Sequence, residues 1–464
     1  MSEKSAIAVL KVALSSTLVA GLVFGACWGA AITWWHAGAR APTAGDVILY
    51  LFLLPLGLLR VLWGGRQLRD EHGAAAATSA PAPAPLPKVA LPRAPVLAIL
   101  AASLRLAHGA SAPALAAALV GKQAGAAPDP ELVDAAGNPV MTARSSAAGD
   151  AALRADIQAW LAANGLAELR FSDEQWRALV LATQVTAELA SQAVSLLMPA
   201  GDRPRPPRPL RLIPLLPADW DSARRRAAGH WLEHTVTQAG WPAARIERIR
   251  STLPGPDETS PAAPFGHLAH EAVLTNAPLS ALVVACASRV GAAQPHGRVP
   301  GEGAAGLLVL DERQARTIEG AASVRLDALR EARRDASADT DHQTDPHADA
   351  ALLAGLIDTA LTHAGAAPAD VAMVVADTGA HGGRGRELLD SVAALPRLDP
   401  EHGIARVGIA CGSCGVVSFI AAVALARHHA LIRGAPVLCV SNEDGYRRIA
   451  ALLRPAPLVR PAPR

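Results

Sequence analysis

Apolar positions along the chain fall into three regimes. From Val12 to Trp35, "VALSSTLVAGLVFGACWGAAITWW", no charged residue occurs. A helix of about 20 such residues, rising ~1.5 Å each, spans a hydrocarbon core of roughly 30 Å. A second apolar run, "VILYLFLLPLGLLRVLW" from Val47 to Trp63, contains Pro55 and ends on Arg60, which can snorkel to the interface. Trp34, Trp35, Tyr50 and Trp63 sit where aromatic side chains anchor a bilayer boundary. The pattern predicts a two-helix hairpin over residues 1–70, with spans at 12–35 and 46–64. A cleaved signal peptide is a poorer reading, because the first run is too long and a second follows it. Residues 71–95, rich in Ala and Pro, form an extended spacer with no core of its own.

Beyond the spacer the period changes. Short apolar runs at 94–102, 279–288, 305–312, 371–377, 406–410 and 436–441 predict strands buried on both faces. Between them, 151–164, 173–197, 221–239, 349–364 and 415–430 predict helices. Strands alternating with helices define a layered α/β domain. The Arg/Pro segment "GDRPRPPRPLR" (201–211) interrupts this alternation as an exposed loop, and 454–464, "RPAPLVRPAPR", is expected to be a disordered tail.

Charge changes the picture in one respect. Lys4 and Lys11 precede the first span and Arg60, Arg66 and Arg69 end or follow the second, whereas the loop between them holds Arg40 beside Asp46. Positive charge is retained in the cytoplasm, so both termini are expected there, on an inner-membrane anchor with a cytosolic body. The formal charge of +2 gives no electrostatic footprint for nucleic acid. The five cysteines, Cys27, Cys286, Cys411, Cys414 and Cys439, are too few for a disulfide scaffold and predict reduced thiols.

In the second half several segments follow the order of one family. "APLSALVVACAS" and "GRVPGEGAAGLLVLDE" (297–312), the stretch 337–379, "VGIACGSCGVVSFIAAVALA" and "VLCVSNEDGYRRIAALL" (437–453) together resemble the β-ketoacyl-ACP synthases of the thiolase-like superfamily. Residues 96–260 fit that family's first half only loosely. The resemblance implies an α/β, thiolase-like domain over 96–453, in five layers (α-β-α-β-α), with halves at 96–312 and 313–453. Members of the family pair along edge strands, so a homodimer is expected.

The family's chemistry uses a cysteine at a helix start, acylated as thiolate, and two histidines that polarise the thioester carbonyl. Carried onto this chain, the first histidine's place falls on Asp377, the second's on Ile409, and a supporting lysine's on Ile404. The nucleophile should precede "FGHLAHEAVLTNAP", where the nearest hydroxyl is Ser260; no cysteine lies between Cys27 and Cys286. An ionised carboxylate cannot donate to a developing oxyanion and isoleucine cannot donate at all. Loss of one oxyanion donor already costs about 3 kcal/mol of barrier. The domain is therefore read as non-catalytic: a scaffold or partner-recruiting module at the cytoplasmic membrane face, with an acyl carrier protein or an envelope or secretion complex component as partner. The alternative is an acyl-transferring or hydrolytic enzyme with a rearranged site using Ser260, His381 or Cys414.

Two further clusters have chemistry-bearing residues and plainer readings. Gly412-Ser413-Cys414-Gly415 is the glycine turn that opens a buried helix, in preference to a redox Cys-x-x-Cys pair; zinc would need a second pair. Asp339, Asp341, His342, Asp345, His347 and Asp349 could hold a divalent cation but read as a solvated acidic loop. Three arginines in "WDSARRRAAGHWLEHTV" (220–236) read as a solvated helix face. No cofactor and no metal are expected.

Overall fold

The computed structural model describes residues 97–456, except 135, 199–207, 249–259, 276, 292–297, 319–320, 335–345, 381 and 400–401, together with Trp28 and Thr33. The chain divides into two units, Met1–Leu91 and Pro92–Arg464. In the first, Trp28 and Thr33 are helical and exposed; the rest of the expected membrane hairpin and the spacer lie outside the described residues.

The second unit runs β1 (Leu97–Leu106), α1 (Ala112–Val120), β2 (Ala127–Val133), β3 (Pro139–Thr142), α2 (Ala151–Ala163), α3 (Asp173–Leu197), β4 (Leu210–Leu215), α4 (Ser222–Gln238), β5 (Ile246–Arg248), α5 (Ala263–Thr275), β6 (Ser280–Ser288) and β7 (Glu302–Asp311). It continues with β8 (Val324–Arg333), α6 (Pro346–Ala364), β9 (Met373–Ala376), α7 (Gly382–Val392), β10 (Ile404–Arg406), the single turn α8 (Val407–Cys411), α9 (Val416–Arg433), β11 (Val437–Ser441) and β12 (Arg447–Pro455).

Ten strands form one continuous sheet in the order β10-β9-β11-β12-β8-β1-β7-β6-β4-β5. It is two copies of one pattern. Strands β1, β4, β5, β6 and β7 appear in the order third, second, fourth, fifth, first, and so do β8 to β12. In each copy the fifth strand, β7 or β12, is antiparallel to both neighbours, while the second pairs parallel with the third and fourth. The halves join where β1 pairs antiparallel with β8, Leu97 opposite Leu326 and Ile99 opposite Val324.

Three apolar cores show the layering. One packs α2, α3 and α4 on the outer face of the first half-sheet, around Leu179, Val185, Trp231 and Leu308. Another packs α6 and α7 on the outer face of the second, around Leu353, Leu388 and Leu438. Between them, α5 and α9 fill the space facing both half-sheets, with Phe265 and Phe419 meeting edge to face at 6.4 Å. Strands covered on both sides need no polar face, which explains the unbroken burial of β7 and of β11. Among the described residues α9 is the one helix long and apolar enough to cross a membrane, and 67% of it is buried in this core.

A bulge in β1 between Ile99 and Ala101 turns carbonyls out of the ladder at the seam. Arg427 of α9 collects them. Its guanidinium donates to Ile99 O (3.2 Å), Leu100 O (2.5 Å) and Ala322 O (3.0 Å), so one central-layer side chain ties both halves together.

Several sequence-based expectations change. The run 406–410 is not a strand: β10 ends at Arg406 and the chain turns at once into α8. Gly408 there lies against the Asp377 carbonyl, 2.2 Å from where a Cβ would stand. The Arg/Pro segment does not stay an exposed loop to residue 211, because Leu210 is fully buried as the start of β4. Strand β8, "VRLDALREAR", has no apolar run to announce it; its charges are paired instead, Asp327 with Arg325 and Arg454, and Glu331 with Arg447. The hairpin β2–β3 is likewise an addition to the expected elements.

Candidate functional site

Asp377 follows the last residue of β9, at the rim of the second half-sheet, and is 4% exposed. Its carboxylate accepts three hydrogen bonds from the turn between β11 and β12: from Ser441 Oγ at 2.5 Å, Asn442 N at 3.0 Å and Glu443 N at 3.2 Å. The neighbouring backbone takes part as well. Thr378 Oγ1 donates to Asn442 Oδ1 at 2.5 Å, Gly379 N donates to Glu443 Oε2 at 2.8 Å, and Arg406 donates to Gly379 O. Burial pushes the Asp377 carboxyl up to about 6, with the Glu443 charge adding to the rise and the three donors opposing it. These bonds hold the 441–446 turn against residues 377–379.

The places that the resemblance assigns to the second histidine and to the lysine are aliphatic. Ile409 sits half-buried in α8 and Ile404 half-buried at the start of β10. Neither supplies a donor. Ser260 lies just ahead of α5 and is 5% exposed. Its hydroxyl donates to Glu331 Oε2 at 2.5 Å and accepts from Ala262 N at 3.1 Å, while Glu331 is held by Arg447 at 3.2 Å. The Ser260 hydroxyl is thus paired with a carboxylate that Arg447 also holds, and not with the imidazole that commonly activates such a nucleophile. His381 lies outside the described residues.

Cys411 closes α8 and Cys414 precedes α9, both fully buried. Gly412 between them has φ 61°, and Gly415, directly after Cys414 and the N-cap of α9, has φ 58°, a region that favours glycine. The turn needs a third glycine, from elsewhere: a Cβ on Gly301 would stand 1.9 Å from Cys411 O. Ser413 N donates to Val299 O at 2.9 Å, locking the turn to the entry of β7. The expected helix-opening turn is present, and the two thiols meet beneath it.

The acidic stretch 339–349 lies largely outside the described residues. Its last member, Asp349, is not solvated: it is 8% exposed and pairs with Arg448 at 3.3 Å and Arg384 at 3.6 Å. Among the described residues no three His, Cys, Asp or Glu side chains converge as a metal site. An open cleft of about 250 Å³, lined by residues including Arg208, Asp311 and Arg313, sits at the far end of β7 from the Gly301 turn.

Two buried ionic clusters had no signal in local sequence. Glu302, fully buried, takes Arg177 in a two-pronged pair (2.8 and 2.6 Å) plus Ser145 N and Ser288 Oγ. Arg448, also fully buried, grips Glu387 at 2.5 and 3.1 Å. The partners are 125 and 61 residues apart, beyond any spacing rule.

The duplicated strand order, the two central helices and the layering define the ketosynthase, thiolase-like fold. No protein-family model matches the sequence, and no curated protein matches it. Solved structures do. The ketosynthase from module 1 of the bacillaene synthase of Bacillus amyloliquefaciens FZB42 superposes with a TM-score of 0.50 at 11% identity, over 78% of this chain and 76% of that one. An oxazolomycin ketosynthase domain of Streptomyces albus JA3453 gives 0.50 at 13%, over 79% and 76%. The module 6 bacillaene ketosynthase of Bacillus subtilis 168 gives 0.50 at 13%, over 78% and 72%. At such identities the likeness extends to the fold alone.

Proposed function

We propose that this chain is a membrane-anchored, non-catalytic ketosynthase-fold protein that recruits or scaffolds a partner at the cytoplasmic face of the inner membrane. The observation that carries the reading is the state of Asp377. It occupies the place of a catalytic histidine, and its oxygens are saturated by Ser441, Asn442 and Glu443 rather than turned toward a substrate. Ile409 offers no donor at the second histidine's place, and the hydroxyl nearest the nucleophile's place, Ser260, is committed to Glu331. Losing a nucleophile and its oxyanion donors together removes several factors of about 10²–10³ each.

The two N-terminal apolar segments supply the anchor in this reading, and pairing of a second copy along an edge strand supplies a homodimer. An acyl carrier protein, or a component of an envelope or secretion complex, is the partner class. Incubating the purified chain with acyl-CoA or acyl-ACP and recording intact mass tests the catalytic part: no stable adduct is expected. An adduct abolished by Ser260→Ala or Cys414→Ser overturns it. Carbonate extraction of membranes tests the anchor. The full chain is expected in the pellet and a version starting at Pro92 in the supernatant; release of the full chain refutes the anchor.

A further inference from the structure

We propose that Cys411 and Cys414 form a buried dithiol couple that closes to an intramolecular disulfide on exchange with a small-molecule disulfide. Three observations converge on this pair. Both sulfurs lie against one hydroxyl, Ser418 Oγ, at 3.5 Å from Cys411 Sγ and 3.4 Å from Cys414 Sγ. They flank Gly412-Ser413, and both Gly412 between them and Gly415 just after Cys414 sit at positive φ, so the chain folds back tightly at the pair. Their cover is thin: Gly415 is exposed and Gly412 and Ser413 half-buried, so one layer of backbone separates Cys414 from solvent.

The two sulfurs are not equivalent. Cys414 is held below the usual thiol range by the neighbouring Cys411 thiol, by Ser418 and by the positive charge of Arg289, against the opposing effect of burial. It also stands at the N-terminal end of an 18-residue helix, where a thiolate is favoured. Cys411 is pushed up by the neighbouring Cys414 and by burial. Groups of both signs face the pair, since Asp377 raises Cys411 and Glu443 opposes the lowering of Cys414. Cys414 is therefore the attacking sulfur and Cys411 the resolving one.

The exchange balances without any further component. Cys414 thiolate attacks one sulfur of the reagent, an S–S bond forms, and one reagent thiolate leaves. Cys411 gives its proton to that thiolate and attacks Cys414 Sγ, expelling the second reagent thiolate, which takes up from solvent the proton that Cys414 released. The protein loses two electrons and two protons, and the disulfide reagent becomes two thiols.

The test uses the folded full-length chain with 2-hydroxyethyl disulfide and 2-mercaptoethanol at graded ratios. Acid quenching, alkylation in denaturant and tryptic digestion then isolate peptide 407–427, which holds both cysteines and no other. That peptide is expected to appear lighter by two hydrogens and unalkylated. The peptides of Cys286, whose thiol burial pushes up, and of Cys439, whose thiol is pushed up by burial and by the Asp377 charge, stay fully alkylated and react roughly tenfold or more slowly. Cys411→Ser is expected to trap the reagent on Cys414, and Cys414→Ser to leave Cys411 unmodified. The wild-type comparison decides even if a variant fails to fold. Reaction of 407–427 no faster than the Cys439 peptide, or a trapped adduct on Cys411 in place of Cys414, overturns the proposal.

Discussion

Replacing Asp377 by asparagine separates two opposing influences on the most unusual carboxyl of the domain. Burial lifts this group from an ordinary 3.8 to about 6, although Ser441 and two backbone N–H groups donate to it. The folded state therefore holds the proton more tightly than the unfolded chain. Stability from this linkage is fully present below pH 3.8 and is lost as pH rises through about 6. A gap of roughly two units corresponds to about 3 kcal/mol, an upper figure because the buried turn can relax around the charge. Asparagine keeps an oxygen for the Asn442 and Glu443 N–H groups and carries no charge. Ser441 must then reverse its hydrogen bond and accept from the amide.

Urea midpoints for wild type and Asp377→Asn, measured between pH 4 and pH 8, report the difference directly, since all other titrating groups are common to both. The two proteins are expected to differ least near pH 4. The variant should gain on wild type across pH 4–6.5 and end up to about 3 kcal/mol more stable, less the cost of the rearranged Ser441 bond. A variant that instead loses ground as pH rises refutes the reasoning. It would mean that the three donors, not burial, govern the carboxyl and that the turn requires its charge.

Other perturbations follow from the frame. Arg427→Met removes the donor shared by Ile99, Leu100 and Ala322 at the seam, and is expected to lower stability by about 2–4 kcal/mol by denaturant midpoint. A change under about 0.5 kcal/mol would show that water replaces it. Glu302→Gln strands Arg177 in a buried site and should cost about 3–5 kcal/mol, whereas adding Arg177→Met to it should recover most of the loss. Gly301→Ala forces a methyl onto Cys411 O and should destabilise by about 3 kcal/mol or more, while Gly382→Ala, with open space around it, stays near wild type in thermal unfolding.

What the sequence discloses divides along physical lines. Helix α3 is legible because periodic burial and an N-terminal capping box, Ser172 with Gln175, agree with its tertiary role. Strands β6, β7, β9 and β11 are legible as apolar runs because both faces are covered. Strand β8 hides because its polar positions are buried in pairs with residues more than 100 positions away, such as Asp327 with Arg454. At the candidate site the order of segments draws attention to Asp377, and "SNEDGY" lies within the closing segment 437–453 of the same resemblance. That the two belong together was not legible, since Ser441 and Glu443 reach Asp377 across 64 and 66 residues.

The duplication gives those buried charges a common meaning. In the first half, the antiparallel strand β7 opens on Glu302, fastened to Arg177 of the outer helix α3. In the second, the equivalent strand β12 opens on Arg447 and Arg448, and Arg448 is fastened to Glu387 of the outer helix α7. Each half thus bolts its fifth strand to its outer layer through a buried guanidinium–carboxylate pair, with the charges exchanged. Such pairs add little stability over an apolar packing, but they are directional and cannot slip by one residue without stranding a charge. They fix the height at which the turns leading into β7 and β12 emerge. Those turns carry Gly301, against Cys411, and Asn442 and Glu443, against Asp377. The rim beyond the two fifth strands is in this chain held from behind by the two ion pairs and filled from the front by Gly301 and by the turn against Asp377.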